Sequence, residues 1–137
     1  MRTVEASRFV RAHPREIERL LTPETVLDYE GTFTAVDVEE GDGETVVEAR
    51  AGGRLMAARF VFDDREDGLG YRQDGEAGPF DAMETEVTYA REDEGVRVTM
   101  RSAVSLSLPL PFADRIAAWK RRGELRRALS RLADDVE

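Results

Sequence analysis

The sequence has no cysteine and no asparagine, and it has only one histidine, one lysine and one tryptophan in 137 residues. The lack of cysteine excludes disulfide bonds, thiolate nucleophiles and cysteine-based zinc sites. The single histidine, His13, stands before Pro14, where it is expected to cap or flank a helix rather than act as a general base. No Gly-x-Ser-x-Gly nucleophile motif occurs. We therefore expect no metal, no cofactor and no familiar set of catalytic residues.

Long apolar runs are missing as well. No segment approaches the roughly 18 apolar residues of a membrane span, and the first residues lack the apolar core of a secretory signal. A chain of this length is typical of one domain with one hydrophobic core. We expect a cytoplasmic protein with no integral membrane segment, present as a monomer or a weak homodimer.

Acidic residues outnumber basic ones by 29 to 20, so the net charge is −9. Such an excess of carboxylates keeps a protein soluble, and it is best tolerated where salt screens the repulsion. The balance resembles that of proteins from halophilic archaea, and an acidic protein from a GC-rich genome is the alternative. It also argues against nucleic acid as a partner, because domains that bind nucleic acid are usually basic.

The C-terminal segment departs from this acidity. Residues 112–137 carry seven basic and five acidic side chains, a net +2, whereas residues 1–111 carry 13 basic and 24 acidic ones, a net −11. One interpretation is a patch for an anionic partner. The other, which we favour, is a helix whose solvated face is basic. The basic residues are Arg115, Lys120, Arg121, Arg122, Arg126, Arg127 and Arg131.

The hydrophobic pattern predicts strands, helices and their order. A first strand over 3–10 precedes two short helices that begin at Pro14 and Pro23, with Thr22 as a cap and Gly31 after the second helix. Apolar residues then alternate with polar ones along six segments, which predicts strands. These are 32–38, 44–51, 54–62, 69–73, 82–90 and 96–106. Their short connections force antiparallel neighbours, so we predict an α+β fold with a seven-stranded curved sheet.

A long helix is predicted from residue 112 to the C-terminus. It would cover the open face of the sheet, but its large apolar residues do not form one stripe. Those of the second half lie on one side and those of the first half on roughly the opposite side, with Gly123 near the change. Either the helix bends there or its halves bury different faces. The residues are Leu125, Leu129, Leu132 and Val136, and Phe112, Ile116 and Trp119.

Inward-facing strand positions combine aromatic residues with methionine, alanine, threonine and serine, whereas their neighbours along the strands are charged. Such a lining is typical of an apolar pocket with a few polar groups, and it is equally typical of a filled core in which methionine occupies gaps. Together with the first half of the helix, these positions give the candidate ligand-binding residues. They are Met56, Phe60, Tyr71, Met83, Val87, Tyr89, Met100, Val104, Phe112, Ile116 and Trp119.

The order of the elements and two segments resemble a known family. Residues 4–17 resemble its opening strand with an Ala-x-Pro-type start of the first helix, and residues 107–112 with 122–132 resemble its proline-rich turn and Arg/Leu-rich helix. The chain is thereby identified as a member of the START-like (SRPBCC) superfamily, in the branch of polyketide cyclases/dehydrases and lipid-transport proteins. The resemblance covers the whole chain and implies one helix-grip domain over residues 1–137.

The resemblance implies a small hydrophobic molecule as the partner, since such proteins bind lipids, polyketides, quinones or hormones. We therefore favour binding or carriage of such a ligand between the sheet and the C-terminal helix. A cyclase or dehydratase of the lyase class is the alternative, with Glu84, Glu86, Tyr89, Arg8 or Arg59 as acid, base or electrostatic groups if they face inward. A third possibility is an interaction protein that uses the basic helix.

The connections predict where a ligand would enter. In an antiparallel meander, alternate connections gather at the same end of the sheet. The segments 52–53 and 75–80, the start of the second strand at Gly31 and the end of the last strand at Leu106 share the less charged end. The acidic segments 40–43, 64–67 and 92–94 share the other. We expect the mouth at the less charged end, with Phe80, Pro109, Leu110 and Pro111 nearby and with Phe112 and Trp119 sensing occupancy.

Overall fold

The computed structural model of the protein describes residues 1–51, 56–75, 81–106 and 110–137. Within these ranges, seven antiparallel strands form one curved sheet in the order β1-β7-β6-β5-β4-β3-β2. The elements are β1 (Arg2–Val10), α1 (Pro14–Leu20), α2 (Pro23–Glu30), β2 (Thr34–Glu40), β3 (Glu44–Ala51), β4 (Met56–Arg65), β5 (Gly68–Gln73), β6 (Ala82–Glu92), β7 (Gly95–Ser105) and α3 (Ala113–Val136). The predicted helix-grip architecture is confirmed.

Local signals in the sequence account for the two short helices. The His13 imidazole accepts a hydrogen bond from the Arg15 amide (3.1 Å) and caps α1. The Thr22 hydroxyl does the same for α2 by accepting from the Thr25 amide (3.3 Å). Gly31 then ends α2 in the left-handed conformation, with φ of 84°. The only histidine is therefore a structural cap, as predicted.

The long helix α3 is uninterrupted from Ala113 to Val136 and lies against β1, β7 and α2. Its buried residues form one continuous stripe, so the alternative in which the two halves bury different faces is wrong. Small residues and one arginine supply the first half of that stripe. The prediction followed only the large apolar residues, which are exposed in this half of the helix, and therefore placed its buried face wrongly. The buried residues are Ala113, Ala117, Ala118, Arg121, Glu124, Leu125, Ala128, Leu129, Leu132 and Ala133. No helix within the described ranges is long and apolar enough to cross a bilayer.

Gly123 lies in the middle of α3, and a Cβ built there meets no atom within 4 Å. We expect Gly123→Ala to stabilise the protein by about 0.5–1 kcal/mol, because alanine loses less backbone entropy on entering a helix. Chemical denaturation measures this. Gly31→Ala is the control and should destabilise, because Gly31 has φ of 84° and its Cβ would lie 2.9 Å from Arg127 Nη1. A loss of stability in Gly123→Ala would contradict the expectation.

Candidate functional site

The predicted ligand-binding residues fall into two groups. Six are buried on the concave face of the sheet, namely Phe60, Tyr71, Met83, Val87, Met100 and Val104. The others lie apart from them. Tyr89 is half-buried, Met56 is exposed at the start of β4, and Phe112, Ile116 and Trp119 are exposed on the outward face of α3.

The predicted mouth is described only in part. Phe80 and Pro109 lie outside the described residues, whereas Leu110 and Phe112 are both more than half exposed. Phe112 does share one face of α3 with Trp119, as the helical spacing requires. The position of the mouth therefore stays a prediction.

The concave face is filled by side chains in the described part of the chain. Four aromatic rings pack in series there. Phe33 contacts Phe60 edge to face (5.3 Å between centroids), Phe60 contacts Tyr71 in the same way (5.5 Å), and Phe62 stacks on Tyr71 (4.5 Å). An apolar void among these side chains has a volume of about 10 Å³, which is room for no more than one water molecule. Its lining includes Val87 and Met100 from the candidate set. In the described part of the chain these residues pack as a filled core, and their role in ligand binding stays a prediction.

A buried arginine stands at the centre of this core. The Arg121 side chain is 1 % exposed and all five of its N–H groups have partners. Nε donates to Ser102 Oγ (2.9 Å), and Nη2 donates to Tyr71 Oη (2.6 Å) and Thr85 Oγ1 (2.7 Å). Nη1 donates to the carboxylates of Glu30 (2.5 Å) and Glu124 (3.2 Å). We call these six residues the Arg121 cluster.

The register of the sheet aligns the three hydroxyl groups of the Arg121 cluster. Tyr71 of β5 lies opposite Thr85 of β6, and Thr85 lies opposite Ser102 of β7. The three side chains therefore form a row across three neighbouring strands on the concave face, directly below Arg121 of α3. Thr85 and Ser102 also hydrogen-bond to each other (2.9 Å). The row fixes the orientation of the guanidinium plane.

The acidic members come from two helices. Glu30 is the last residue of α2, and its carboxylate accepts from the Tyr71 hydroxyl (2.7 and 2.6 Å) as well as from Arg121. Glu124 lies one turn after Arg121 on α3 and accepts from Lys120 (3.2 Å) and from the Thr32 hydroxyl. Two carboxylates thus face one buried and one half-exposed cation, so the buried charges are balanced.

Burial and neighbouring charges set the protonation of the Arg121 cluster. Burial alone would lower the pKa of Arg121, but the Glu30 carboxylate and then Tyr71 and Glu124 raise it. Burial, and to a smaller extent the Glu30 carboxylate, raise the pKa of the Tyr71 phenol. The Arg121 charge lowers this pKa but offsets only part of the rise. Burial would also raise the pKa of Glu124, but the Arg121 charge, the Thr32 hydrogen bond and Lys120 together hold it below its ordinary value. The cluster therefore presents a permanent cation and a protonated phenol, which are hydrogen-bond donors and not bases.

The groups considered for acid, base or electrostatic roles do not join this cluster. Arg8 and Glu84 are exposed, and Arg59 is exposed beside Glu48 (3.3 Å). Glu86 accepts from Arg65 (2.6 Å) outside the core. The condition that Arg8 and Arg59 face inward is not met. Among the described side chains, no group of three or more histidines and carboxylates is placed to hold a metal ion.

The interpretation of the basic helix as a solvated face is wrong for one of its residues, Arg121. Arg121 is buried, Arg127 donates to the carbonyl of Glu30 (2.9 Å), and Arg131 donates to the carbonyl of Asp28 (3.0 Å). The last two satisfy carbonyl groups at the end of α2 that have no partner within the helix. The other six basic residues are exposed, as predicted, namely Arg115, Lys120, Arg122, Arg126, Arg127 and Arg131.

Several solved structures share this fold. The aromatase/cyclase Zhui from Streptomyces sp. R1128 has a TM-score of 0.69 at 19 % identity, over 96 % of this chain and 93 % of that one. A START superfamily protein from Mycobacterium smegmatis has a TM-score of 0.68 at 11 % identity, over 98 % of this chain and 99 % of that one. At such identities the likeness establishes the fold and no more.

A two-domain relative matches over one of its halves. The aromatase/cyclase BexL from the BE-7585A biosynthetic pathway has a TM-score of 0.78 at 14 % identity, over 99 % of this chain and 50 % of that di-domain protein. No curated protein matches the sequence. The family model for polyketide cyclases/dehydrases and lipid-transport proteins matches residues 1–137. The chain therefore belongs to the polyketide cyclase/dehydrase and lipid-transport family.

Proposed function

We propose that the protein binds a small amphipathic molecule on the concave side of its sheet, with the polar end at the Arg121 cluster. The observation that carries this is a fully buried guanidinium with three aligned hydroxyl groups inside an aromatic and aliphatic shell. Ligand pockets are typically apolar with a few fixed polar groups. A cationic donor set selects a carboxylate, enolate or phenolate oxygen. Family membership supports the same class of ligand.

The position of Glu30 indicates how space for a ligand would be made beside Arg121. Its carboxylate already occupies the anion position between Arg121 and Tyr71, so a ligand anion would take its place. Glu30 is the last residue of α2 and precedes Gly31, whose left-handed conformation ends the helix. A small movement at this helix end would withdraw the carboxylate without disturbing the sheet. The filled core is then the unliganded state, in which Glu30 stands in for the ligand.

Displacement of a fluorescent fatty acid tests this proposal. We expect saturation at one probe per chain, and we expect the matching fatty alcohol to compete poorly because it carries no anion. Tyr71→Phe should weaken fatty-acid binding about tenfold, which corresponds to one hydrogen bond to a charged group. Glu30→Gln should tighten it, because the competing anion is gone. Failure of the probe to saturate in both the wild type and Glu30→Gln would refute the proposal.

A cyclase or dehydratase acting on such a ligand is the second candidate. It rests on Tyr71, whose hydroxyl is held protonated between Arg121 and Glu30 and could donate to an oxygen that becomes an enolate. Incubation with a short β-polyketone thioester should then give a cyclised or dehydrated product, and Tyr71→Phe should abolish it. Stoichiometric binding without product leaves carriage as the function.

A further inference from the structure

The outward face of α3 carries an apolar ridge that the ligand-binding proposal does not use. Phe112, Ile116 and Trp119 follow one another at helical spacing and are 58, 53 and 77 % exposed. Leu110, just before the helix, is 57 % exposed. Contiguous exposed apolar side chains of this size mark interaction surfaces. We call Phe112, Ile116 and Trp119 the α3 ridge.

Cations flank the α3 ridge. At 100° per residue, Arg115 and Arg122 lie on one side of it, Lys120 lies on the other, and Arg126 follows Trp119. Arg115 lies over the Phe112 ring, 5.6 Å from its centroid. Arg122 and Arg126 have no carboxylate partner within the described ranges. This face is positive although the whole chain carries −9.

The acidic residues of the same helix half do not neutralise this face. Asp114 accepts from the N-terminal ammonium group (3.3 Å) and from the Leu106 amide (3.4 Å). Glu124 is buried in the Arg121 cluster. The acidic turns between β2 and β3, β4 and β5, and β6 and β7 lie at the other end of the sheet. The positive charge of the α3 face is therefore not cancelled by the acidic turns, and it attracts an anionic surface.

A hollow of about 390 Å³ adjoins the α3 ridge at Gly123, where no side chain fills the helix surface. Trp119 forms one wall, and four cations surround the rest. The lining residues are Thr32, Trp119, Lys120, Arg122, Gly123, Glu124, Arg126 and Arg127. The hollow has room for a phosphate group beside the indole ring, which is how an interfacial tryptophan and its basic neighbours meet phospholipid headgroups.

We infer that the protein docks on anionic phospholipid membranes through this face of α3. The α3 ridge enters the boundary between headgroups and acyl chains, and Arg115, Arg122 and Arg126 contact lipid phosphates. A protruding line of apolar side chains bordered by cations fits the membrane interface, where apolar and charged layers lie a few ångströms apart. The inference does not depend on the ligand-binding proposal.

Co-sedimentation with lipid vesicles tests this inference. We expect binding to vesicles of phosphatidylcholine with one third phosphatidylglycerol, weaker binding as salt is raised, and little binding to phosphatidylcholine alone. The emission of Trp119, the only tryptophan, should shift to the blue with the anionic vesicles. Absence of binding to the anionic vesicles at low salt, or equal binding to both kinds, overturns the inference.

Matched variants locate the surface. Arg122→Gln combined with Arg126→Gln should weaken binding to the anionic vesicles about 25-fold, at about fivefold for each cation near such a surface. Ile116→Ser with Trp119→Ser should weaken it about tenfold or more. The controls are Arg50→Gln with Arg91→Gln, and Val36→Ser, which change exposed arginines and an exposed apolar residue elsewhere. Equal losses in the controls would place the contact elsewhere and contradict the inference.

Competition with inorganic phosphate distinguishes binding to a lipid headgroup from binding to a free phosphate ion. At matched ionic strength, phosphate should release the protein from anionic vesicles no better than chloride does. A larger effect of phosphate that disappears in Gly123→Leu would assign the hollow to a free anion instead and would overturn the membrane assignment.

Discussion

Arg121→Met should lower the free energy of unfolding by about 3–5 kcal/mol, the range found when one partner of a buried ion pair is removed. The variant leaves the Glu30 carboxylate buried without a cation, and Glu124 keeps Lys120 as a cation and the Thr32 hydroxyl as a donor. It also removes the N–H groups that donate hydrogen bonds to the hydroxyl oxygens of Tyr71, Thr85 and Ser102. Since domains of this size are stable by about 5–15 kcal/mol, this is a large fraction of the total. Denaturation in urea at neutral pH measures it.

The loss in Arg121→Met should depend on pH. The pKa of Glu124 is held low in the folded protein, so its contribution is fully present above the ordinary carboxyl pKa and is lost as pH falls through the lowered value. In the variant this contribution is largely absent, because the Arg121 charge that lowers the pKa of Glu124 is gone. The stability curves of the wild type and the variant should therefore converge toward acid pH.

Two further variants separate charge from packing at Arg121. Arg122→Met changes an exposed neighbour on the same helix and should alter stability by no more than about 0.5 kcal/mol. Adding Glu30→Leu to Arg121→Met should recover most of the loss, because an apolar pair can replace a buried ion pair. A deficit below about 1 kcal/mol in Arg121→Met would mean that the cluster is not the electrostatic centre of the core.

The strands and short helices could be predicted because their determinants are local. Alternation along β6 and β7 marks the inward residues, and the register of the two strands then follows from the short turn between them. The caps at Thr22 and Gly31 each depend on residues within a single turn. The predicted inward positions Met83, Val87 and Met100 are therefore buried in the structure.

The Arg121 cluster could not be predicted in the same way, because its contacts join distant parts of the chain. Glu30 and Arg121 are 91 positions apart, and Arg121 stands between two exposed charged residues. One signal was available: Arg121 lies four residues after Ala117 and four before Leu125, which places it on the buried stripe of α3. The charge of Lys120 and Arg122 obscured that signal.

Phe60→Ala should destabilise the protein by about 3–5 kcal/mol, the usual cost of a large cavity in a packed core. Phe60 is fully buried and contacts the rings of both Phe33 and Tyr71. The loss should appear as a lower denaturation midpoint with an unchanged slope against denaturant concentration, which identifies a change of stability rather than of the unfolded state. Phe112→Ala removes the same side chain where it is 58 % exposed and should change stability by about 0.5 kcal/mol or less.

Phe60→Ala also shows whether packing alone keeps small molecules out of the concave face. The new space is bordered by Phe33, Val47 and Tyr71 and is apolar, so it should remain dry and accept a small aromatic molecule such as benzene or indole. Saturating indole should raise the thermal midpoint of Phe60→Ala and leave that of Phe112→Ala unchanged, because only the first offers a buried site. Equal shifts in both variants would mean that indole binds at the surface. No shift in either would mean that the core collapses into the space, and the stability loss should then fall below the expected range.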